Sequence, residues 1–308
     1  MIGQPPSAHR PRVTLDQLHT FVALARFEHA GRAAEAINLS QGAVSQQLRL
    51  LETSLDIPLF DRNRRRLRLT DAGRRIAAAA GAVLNDARAV EELADSLRGL
   101  KTGAVSIIAT GVMGMDRLPT WIARFLDNHP AIEITMRLAN TAAALAAVED
   151  GSVDCATVGG HVSGEGLETM SLGESELIVV VARDHPLAGS LAIPAALARH
   201  RYLAREPGSA TEILAPVVLE AAYRSGPVLE LGRLEAVRAA VLAGLGYAVL
   251  PRGVIQSDIE AGRMVVLPHR GKPVMQVYHG VRRQGIHTPA ADALWAHLRT
   301  QATQDAAM

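Results

Sequence analysis

The sequence predicts an α/β protein with a small all-α head, one long helix and a larger α/β body. Three observations predict this order. Apolar residues recur at helical spacing in three short segments before residue 56, and they recur every seven residues through the segment 71–100. From residue 104 to 302, short β-branched runs alternate with helix-like runs, which is typical of an α/β fold. With 308 residues, 48% of them hydrophobic, the chain is long enough for more than one core.

Basic residues are concentrated at the N-terminal end. Residues 1–80 contain twelve arginines and seven acidic residues, a net charge of +5, whereas residues 101–308 contain 18 basic and 20 acidic residues, a net charge of −2. A basic head on a nearly neutral body indicates that one end meets a polyanion such as nucleic acid. On charge alone, an ordinary solvated surface explains the pattern equally well.

Composition and missing motifs disfavour several protein classes. No apolar run is long enough to span a bilayer, and residues 1–13, which we interpret as a disordered arm, lack the apolar core of a secretory signal. We therefore expect a cytoplasmic protein with no membrane partner. Cys155 is the only cysteine, which excludes an intrachain disulfide and a thiolate metal cluster. Because no nucleophile motif, phosphate-binding loop or dinucleotide fingerprint occurs, we expect no catalytic residue, no metal and no cofactor.

Three helices are predicted in the head. The first begins with a capping box at Thr14 and Gln17. Its apolar stripe consists of Leu15, Leu18, Val22 and Ala25. The segment His29-Ala30-Gly31 is predicted to break the chain before a second helix, residues 32–37. Ser40 is predicted to cap a third helix that runs to about residue 55. The core stripe of this third helix consists of Val44, Leu48, Leu51 and Leu55.

The opposite face of the third helix carries side chains suited to DNA. At 100° per residue, Gly42, Gln46 and Arg49 lie opposite the core stripe, with Ser45 on the flank. Glutamine can bond adenine and arginine can bond guanine through paired hydrogen bonds, and a glycine lets a base edge or a phosphate come close. Three short helices with a break before the last match a helix-turn-helix, whose final helix enters the major groove. The alternative is that Gln46 and Arg49 are ordinary solvated residues.

A hairpin with an arginine-rich tip is predicted after the third helix. Leu59-Phe60 and the pair Leu67 and Leu69 alternate like two short strands, which makes a wing. The tip carries Arg62, Arg64, Arg65 and Arg66, which we expect to meet phosphates or a narrow minor groove. A basic loop with no structural role is the alternative.

The head and wing share a long pattern with a known family. The shared features are Ala33-Ala34, Leu39-Ser40-Gln41, Ala43-Val44-Ser45, Leu51-Glu52, Leu59-Phe60-x-Arg62 and Leu69-Thr70-x-Ala72-Gly73. This pattern resembles the signature of the LysR-type transcriptional regulators, which implies a winged helix-turn-helix that binds double-stranded promoter DNA. The predicted DNA-binding residues are Arg32, Ser40, Gln41, Gly42, Ser45, Gln46, Arg49, Arg62, Arg64, Arg65 and Arg66. The chain departs from the family at three places: His29-Ala30-Gly31 replaces Ser-aromatic-Thr, Gly42 replaces a common serine, and Asp56 replaces a glycine.

The long helix carries a heptad seam. Thr70 is predicted to cap it, and it runs from Asp71 to about Gly99. Bulky and small residues alternate along the seam, which lets two helices pack closely. The predicted dimerisation residues are Ile76, Ala80, Val83, Ala87, Val90, Ala94 and Leu97. A single helix lying on its own domain is the alternative. The resemblance implies a homodimer or homotetramer, with RNA polymerase as a further candidate partner.

Strands and helices alternate through the body, which predicts parallel sheets. The resemblance implies a two-lobed, type 2 periplasmic-binding-protein-like effector domain. The predicted parts of the whole chain are a disordered arm 1–13, a DNA-binding domain 14–70, a linker and dimerisation helix 71–100 and an effector domain 104–302. Lobe I is predicted to hold residues 104–180 and 270–302, and lobe II residues 181–269. The chain is expected to cross between lobes near Ala182–Pro186 and to return near Pro268–Pro273.

A ligand cleft is expected at the carboxyl ends of the strands, between the lobes. Polar residues stand there where strands end and helices begin, and helix N-termini favour a small anion. The predicted effector-binding residues are Thr110, Gly111, Asn140, Thr141, Gly159, His161, Glu206, Gly208, Ser209 and Thr211. The alternative for the hydroxyl residues is that they only cap their own helices. For His161, the alternative is a structural or surface role.

The effector domain looks most like the subgroup that controls carbon fixation and sulfur or nitrogen assimilation. The resemblance rests on the run 205–209 (Arg-Glu-Pro-Gly-Ser) and on the pair Asn140-Thr141. In that subgroup the run continues Gly-Thr-Arg, but here it continues Ala210-Thr211-Glu212. The exchange of Arg for Glu212 is expected to remove an anion clamp.

The sequence therefore predicts a DNA-binding transcriptional regulator, controlled by a small anionic metabolite, that is not an enzyme. Two other hypotheses stay open at this point. A solute-binding or sensor protein without a role in gene control fits the body alone. A metabolic enzyme with a fused head requires a nucleophile and a base near the cleft, and the sequence offers no convincing set.

Overall fold

The computed structural model describes residues 12–61, 67–97, 102–162, 164, 166–191, 194–268 and 272–306 of the chain. Most of the predicted arm lies outside these ranges. The chain divides into two compact units, Met1–Glu91 with Glu149–Ser152, and Glu92–Val148 with Val153–Met308. None of the helices in the described ranges has both the length and the apolar character needed to cross a membrane.

The N-terminal part is helical, as predicted. Its helices are α1 (Leu15–Phe27), α2 (Ala30–Ala36), α3 (Gln41–Leu55) and α4 (Asp71–Leu97). The capping box of α1 is confirmed, because Thr14 Oγ1 accepts a hydrogen bond from Gln17 N at 3.3 Å and Gln17 Oε1 accepts one from Thr14 N at 2.9 Å. Phe21, Val44 and Leu51 are fully buried where the first three helices meet.

The apolar stripe of α1 differs from the prediction. Leu15 is 49% exposed, whereas Leu18, Phe21 and Leu24 are buried. These three residues recur every third position and pack in the core that α1 shares with α2 and α3. The predicted stripe is therefore rotated by a fraction of a turn from the buried one.

The break before α2 is shorter than predicted. Only His29 remains outside the helix, because its Nδ1 accepts hydrogen bonds from Gly31 N at 3.1 Å and from Arg32 N at 3.3 Å. An imidazole thus caps α2, a position that Ser, Thr, Asp or Asn usually fills. Ala30 and Gly31 belong to the helix.

The base of the wing is fixed to α3 and α4. Buried Glu52 Oε1 accepts a hydrogen bond from Leu59 N at 2.8 Å. A Cβ on Gly73 would lie 2.1 Å from Leu59 O, so only glycine lets α4 begin this close to the wing. The two predicted strands are reduced, in the described residues, to one antiparallel bridge between Phe60 and Leu69. The arginine tip, Arg62, Arg64, Arg65 and Arg66, lies outside the described residues.

The predicted seam of α4 divides into two parts. Thr70 Oγ1 accepts a hydrogen bond from Gly73 N at 2.9 Å, which confirms the predicted cap. Ala80 is buried in the core of the head, so its assignment to a dimer seam is corrected, whereas Ile76 is half-buried against that core and its assignment stays a prediction. Farther along, the exposed apolar side chains are Val83 at 46%, Val90 at 59% and Leu93 at 48%. Of the other seam positions, Ala94 is exposed, Ala87 is half-buried, and the side chain of Leu97 lies outside the described part.

The body is built on a mixed sheet. Its elements are β1 (Gly103–Ala109), α5 (Gly111–Met115), α6 (Leu118–Asn128), β2 (Ile132–Leu138), α7 (Thr141–Glu149), β3 (Cys155–Gly159), β4 (Leu167–Ala182), α8 (Pro194–Leu197), β5 (Tyr202–Ala204), α9 (Ala210–Leu219), β6 (Val228–Glu230), α10 (Leu234–Leu242), β7 (Ala248–Pro251), α11 (Arg252–Glu260), β8 (Met264–Leu267), β9 (Val274–Arg283) and α12 (Pro289–Ala306). The large sheet has the strand order β2-β1-β3-β9-β4-β7, with β8 also paired to β4, and β5 and β6 form a separate pair.

Only part of the sheet is parallel. Strand β1 runs parallel to β2 and β3, but β9 is antiparallel to β3 and β4, and β4 is antiparallel to β7 and β8. The prediction of parallel sheets therefore holds for the first strands of lobe I and for the β5–β6 pair, and it is corrected for the long strands that return through the domain.

The crossing between lobes occurs inside β4 and not after it. This strand is 16 residues long; its first part pairs with β9 and its last part with β7 and β8. A bulge interrupts its register between Ser171 and Gly173. The crossing predicted near 182–186 and the lobe boundary predicted at residue 180 are corrected accordingly. The return predicted near 268–273 includes residues outside the described ranges and stays a prediction. The β-branched run 179–181 lies in the second half of this continuous strand.

Candidate nucleic-acid interface and ligand cleft

The outer face of α3 is polar and accessible. Ser40 Oγ accepts a hydrogen bond from Ala43 N at 3.1 Å, which caps the helix as predicted. Gln46 and Arg49 are exposed on the side opposite fully buried Val44. The helical spacing predicts this exposure correctly, and the arrangement leaves the Gln46 amide and the Arg49 guanidinium free to reach base edges.

Two further positions at the start of α3 differ in their surroundings. A Cβ on Gly42 would meet only Ser40 Oγ, at 3.8 Å, so nothing in the protein itself requires glycine there. Gln41 points toward α2, since its Nε2 lies 2.6 Å from the place that a Cβ on Gly31 would take. Gln41 is therefore near Arg32, which is exposed on α2, whereas Ser45 is half-buried.

A cleft in the body consists of two adjoining cavities. The larger has a volume of about 230 Å³ and the smaller about 20 Å³. Both are lined by Gly111, Ala139, Asn140 and Arg205. The smaller cavity is also lined by the hydroxyls and the amide of Thr110, Thr141, Ser209, Thr211 and Gln276. The larger is also lined by the charged residues Glu206, Arg233 and Glu235.

Most hydroxyls in the smaller cavity already have partners in the protein. Ser209 Oγ accepts a hydrogen bond from Glu212 N at 3.1 Å, so it caps α9, and Thr141 Oγ1 donates to Gly159 O at 3.1 Å. Thr211 Oγ1 donates to Gln276 Oε1 at 2.9 Å. Among the described residues, the buried Thr110 Oγ1 has no hydrogen-bond partner. The capping interpretation thus holds for Ser209 and fails for Thr110.

Arg205 is the principal cation of the cleft, and the predicted set omits it. It is 7% exposed, and its Nε and Nη2 each lie 2.9 Å from an oxygen of Glu206. The guanidinium is therefore partly neutralised before any ligand binds. Gln276, Arg233 and Glu235 are also absent from the predicted set. Gln276 lies 65 positions from Thr211, its hydrogen-bond partner, so its approach to the cleft leaves no local signal.

Three predicted effector residues are not among the residues that line the cavities. His161 is exposed, Gly208 forms a turn with φ of 84°, and Gly159 contributes its carbonyl to Thr141. Glu212 also lies outside the lining; its side chain is 6% exposed and faces the interior of lobe II. The negative charge of Glu212 is consequently not presented to the cleft.

Comparison with known families decides the identity. A model of the bacterial regulatory helix-turn-helix protein, lysR family, matches residues 15–74, and a model of the LysR substrate binding domain matches residues 98–303. The chain belongs to the LysR family. It is a DNA-binding transcriptional regulator with an effector-binding domain, and not an enzyme. Neither the solute-binding nor the fused-enzyme hypothesis accounts for both matches.

Relatives of this LysR-family regulator match over nearly the whole chain. The RuBisCO operon transcriptional regulator of Allochromatium vinosum is 32% identical over 295 residues, which cover 95% of this chain and 97% of the relative. The HTH-type transcriptional regulator CbbR of Rhizobium meliloti is 32% identical over 287 residues, with 91% of each chain covered. The resemblance to the carbon-fixation subgroup is confirmed.

Solved structures of regulators share the fold. A full-length OxyR variant from Pseudomonas aeruginosa has a TM-score of 0.74 and 26% identity, with 94% of this chain and 96% of that chain covered. Full-length CbnR complexed with its target DNA has a TM-score of 0.62 at 20% identity, with 94% of this chain and 99% of that chain covered.

The one cysteine of this LysR-family chain is buried. Burial is the main cause that raises the pKa of the Cys155 thiol to about 12, so the thiol stays protonated and is a poor nucleophile.

Proposed function

We propose that this regulator recognises promoter DNA through the outer face of α3, with Gln46 and Arg49 reading base edges in the major groove. The observation that carries the proposal is the arrangement of one helix: Val44 and Leu51 are fully buried, while Gln46 and Arg49 are exposed on the opposite side. Gly42 leaves open space beside them. This combination presents hydrogen-bonding groups to a duplex without disturbing the core.

The positive charge of the head supplies the remaining contacts. Arg32 is exposed at the third position of α2, and four more arginines lie at the wing tip, between positions 62 and 66. Their proposed partners are backbone phosphates, which contribute affinity but no direct sequence information. Because the partner is chromosomal DNA, the proposed site of action is the cytoplasm.

Exposed aliphatic side chains on α4 support assembly through that helix. Val83 and Val90 lie seven positions apart and are 46% and 59% exposed, and Leu93 is 48% exposed. Burying them against a second copy would remove apolar area from water. A dimer, or a tetramer made from two dimers, would then place recognition helices in the two half-sites of an interrupted palindrome.

The proposed effector is a small anionic metabolite of central carbon metabolism, held in the cleft. Thr110 lines the smaller cavity and its buried hydroxyl has no hydrogen-bond partner, and Arg205 borders both cavities. Since Glu206 already binds two nitrogens of Arg205, an anion has to share or displace that carboxylate. We expect such a ligand to change how far the two lobes close over the cleft. The α4 helices would then relay this change to the spacing of the DNA-binding heads. RNA polymerase is the candidate partner for the outcome at a promoter.

Selection of bound duplexes from a randomised pool by the full-length chain tests the DNA proposal. The expected result is one enriched interrupted palindrome, bound at least about a thousandfold more tightly than random duplex, with affinity that falls steeply as salt rises. Enrichment of no sequence would contradict it. Thermal-shift titration of the full-length chain with carboxylate and phosphate metabolites tests the effector proposal, with neutral sugars as controls.

A further inference from the structure

Glu212 places a buried carboxylate directly behind the cleft. It is the third residue of α9, next to Thr211, whose hydroxyl lines the smaller cavity. The side chain is only 6% exposed and lines neither cavity, so it is not placed to touch a ligand. A buried carboxylate needs several hydrogen-bond donors, and the donors around Glu212 indicate its structural role.

The two oxygens of Glu212 have different partners. Oε1 accepts hydrogen bonds from Tyr223 Oη at 2.9 Å and from Arg224 Nη2 at 3.0 Å. Oε2 accepts hydrogen bonds from Tyr202 Oη at 2.8 Å and from Arg205 N at 3.2 Å. Burial, and then the neighbouring Glu212 carboxylate, raise the pKa of Tyr202 well above its usual value, which keeps this hydroxyl a donor. Oε1 therefore bonds only to side chains, whereas Oε2 also holds the backbone at Arg205, where the chain enters the cleft.

Both ends of the segment 205–209 are bonded to Glu212. Its carboxylate accepts the backbone amide of Arg205, and its own backbone amide donates to Ser209 Oγ at 3.1 Å. Between these two points the chain turns through Gly208, with φ of 84°. The Arg205 and Ser209 side chains both line the cleft. A single residue thus holds both ends of the segment that forms one wall.

We propose that Glu212 is a positioning residue that holds the segment 205–209 in its ligand-binding form before any ligand arrives. This inference rests on the proposed use of the cleft. A wall that is already ordered loses little conformational entropy when a ligand binds, so the ligand binds more tightly than it would to a mobile wall. The exchange of arginine for glutamate therefore replaces a group expected to contact the anion with one that fixes the residues that do.

Glu212→Ala tests the proposal, with Tyr223→Phe as the control. The alanine side chain accepts no hydrogen bond, so the Arg205 amide loses its acceptor, while the backbone amide of residue 212 can still donate to Ser209 Oγ. Tyr223→Phe removes a donor from the other carboxylate oxygen and leaves the Arg205 hydrogen bond in place. Both variants disturb the same buried cluster, but only Glu212→Ala frees the wall.

Hydrogen exchange of the full-length chain, without ligand or DNA, is the measurement. In the wild-type chain, the Arg205 amide should exchange as slowly as those of β5. Glu212→Ala should speed exchange across residues 205–209 by about tenfold, and Tyr223→Phe should leave it unchanged. Equal acceleration in both variants, or in neither, would overturn the proposal.

The wild-type measurement also stands alone if the alanine variant does not fold. A fast-exchanging Arg205 amide in the wild-type chain would refute the positioning role without any variant. Because neither ligand nor DNA is present, the result is independent of the duplex selection and the metabolite titration. A failure of the positioning role is therefore distinguishable from a failure of the proposed function.

Discussion

The outer face of α3 and the ligand cleft use polar side chains in opposite ways. On α3, Gln46 and Arg49 are exposed, so their side chains are available to bind a partner outside the protein. In the cleft, Arg205 and Thr211 are buried and bonded to Glu206 and Gln276. A surface that reads many base pairs needs free groups on a rigid helix, whereas a cleft for one small molecule needs groups held in place by the protein.

The largest expected effect concerns the support of the DNA-binding surface. Gly73→Ala places a Cβ 2.1 Å from Leu59 O, a backbone atom that cannot move aside easily. We expect it to destabilise the head by about 1–3 kcal/mol and to abolish specific DNA binding. Denaturant unfolding followed by a promoter-binding assay measures both.

The control is Gly42→Ala, whose Cβ meets only Ser40 Oγ at 3.8 Å. It should raise the free energy of unfolding of the head by about 0.5 kcal/mol, because alanine is the better helix residue. Its affinity for DNA should also change, because Gly42 lies on the face of α3 that we propose meets the duplex. If the two alanine variants had equal stability, the close contact of Gly73 with the wing would not matter.

The second prediction concerns base recognition. Gln46→Ala should cost about 1–3 kcal/mol of binding and relax specificity at one base pair of each half-site. Affinities for a set of operators with single base-pair changes measure this. Gln256→Ala, an exposed glutamine on α11, is the matched control and should have no effect. A uniform loss over all operators would assign Gln46 to non-specific contact.

The third prediction separates free from satisfied hydroxyls in the cleft. Thr110→Val removes a buried hydroxyl that lacks a partner, so unfolding stability should stay the same or rise, while the response to effector is lost. Thr211→Val breaks the hydrogen bond to Gln276 and should cost about 1 kcal/mol. Denaturant unfolding of the two variants decides the point; equal destabilisation would mean that Thr110 is satisfied in solution.

The smallest expected effect concerns phosphate contact. Arg32→Gln should weaken binding equally for all sequences and lower the slope of log affinity against log salt by about one. Titrations at several salt concentrations provide the slope, and Arg183→Gln in the body is the control. An unchanged slope would remove Arg32 from the phosphate contacts.

Local signals explain what the sequence could predict. The capping box of Thr14, the Ser40 cap and the exposure of Gln46 depend on residues three or four positions apart, so periodicity predicts them. The family pattern added the two-lobed body. Gly73 belongs to that pattern, and the cause is steric, because a Cβ at this position would lie 2.1 Å from Leu59 O.

Long-range contacts explain the rest. The path of β4 through both lobes depends on pairing with β7, β8 and β9, which lie far along the chain. Gln276 reaches the cleft through a hydrogen bond across 65 positions. Ile76 and Ala80 fit a heptad, but Ala80 is buried in the core of the head and Ile76 packs against it. No short pattern encodes these outcomes.

Methylation protection of the bound operator tests the central claim most directly. Dimethyl sulfate modifies guanine N7 in the major groove and adenine N3 in the minor groove. We predict protected guanine N7 positions in two half-sites, with protection of one guanine per half-site lost in Arg49→Ala. A bound complex in which every guanine N7 remains open to modification would contradict the account.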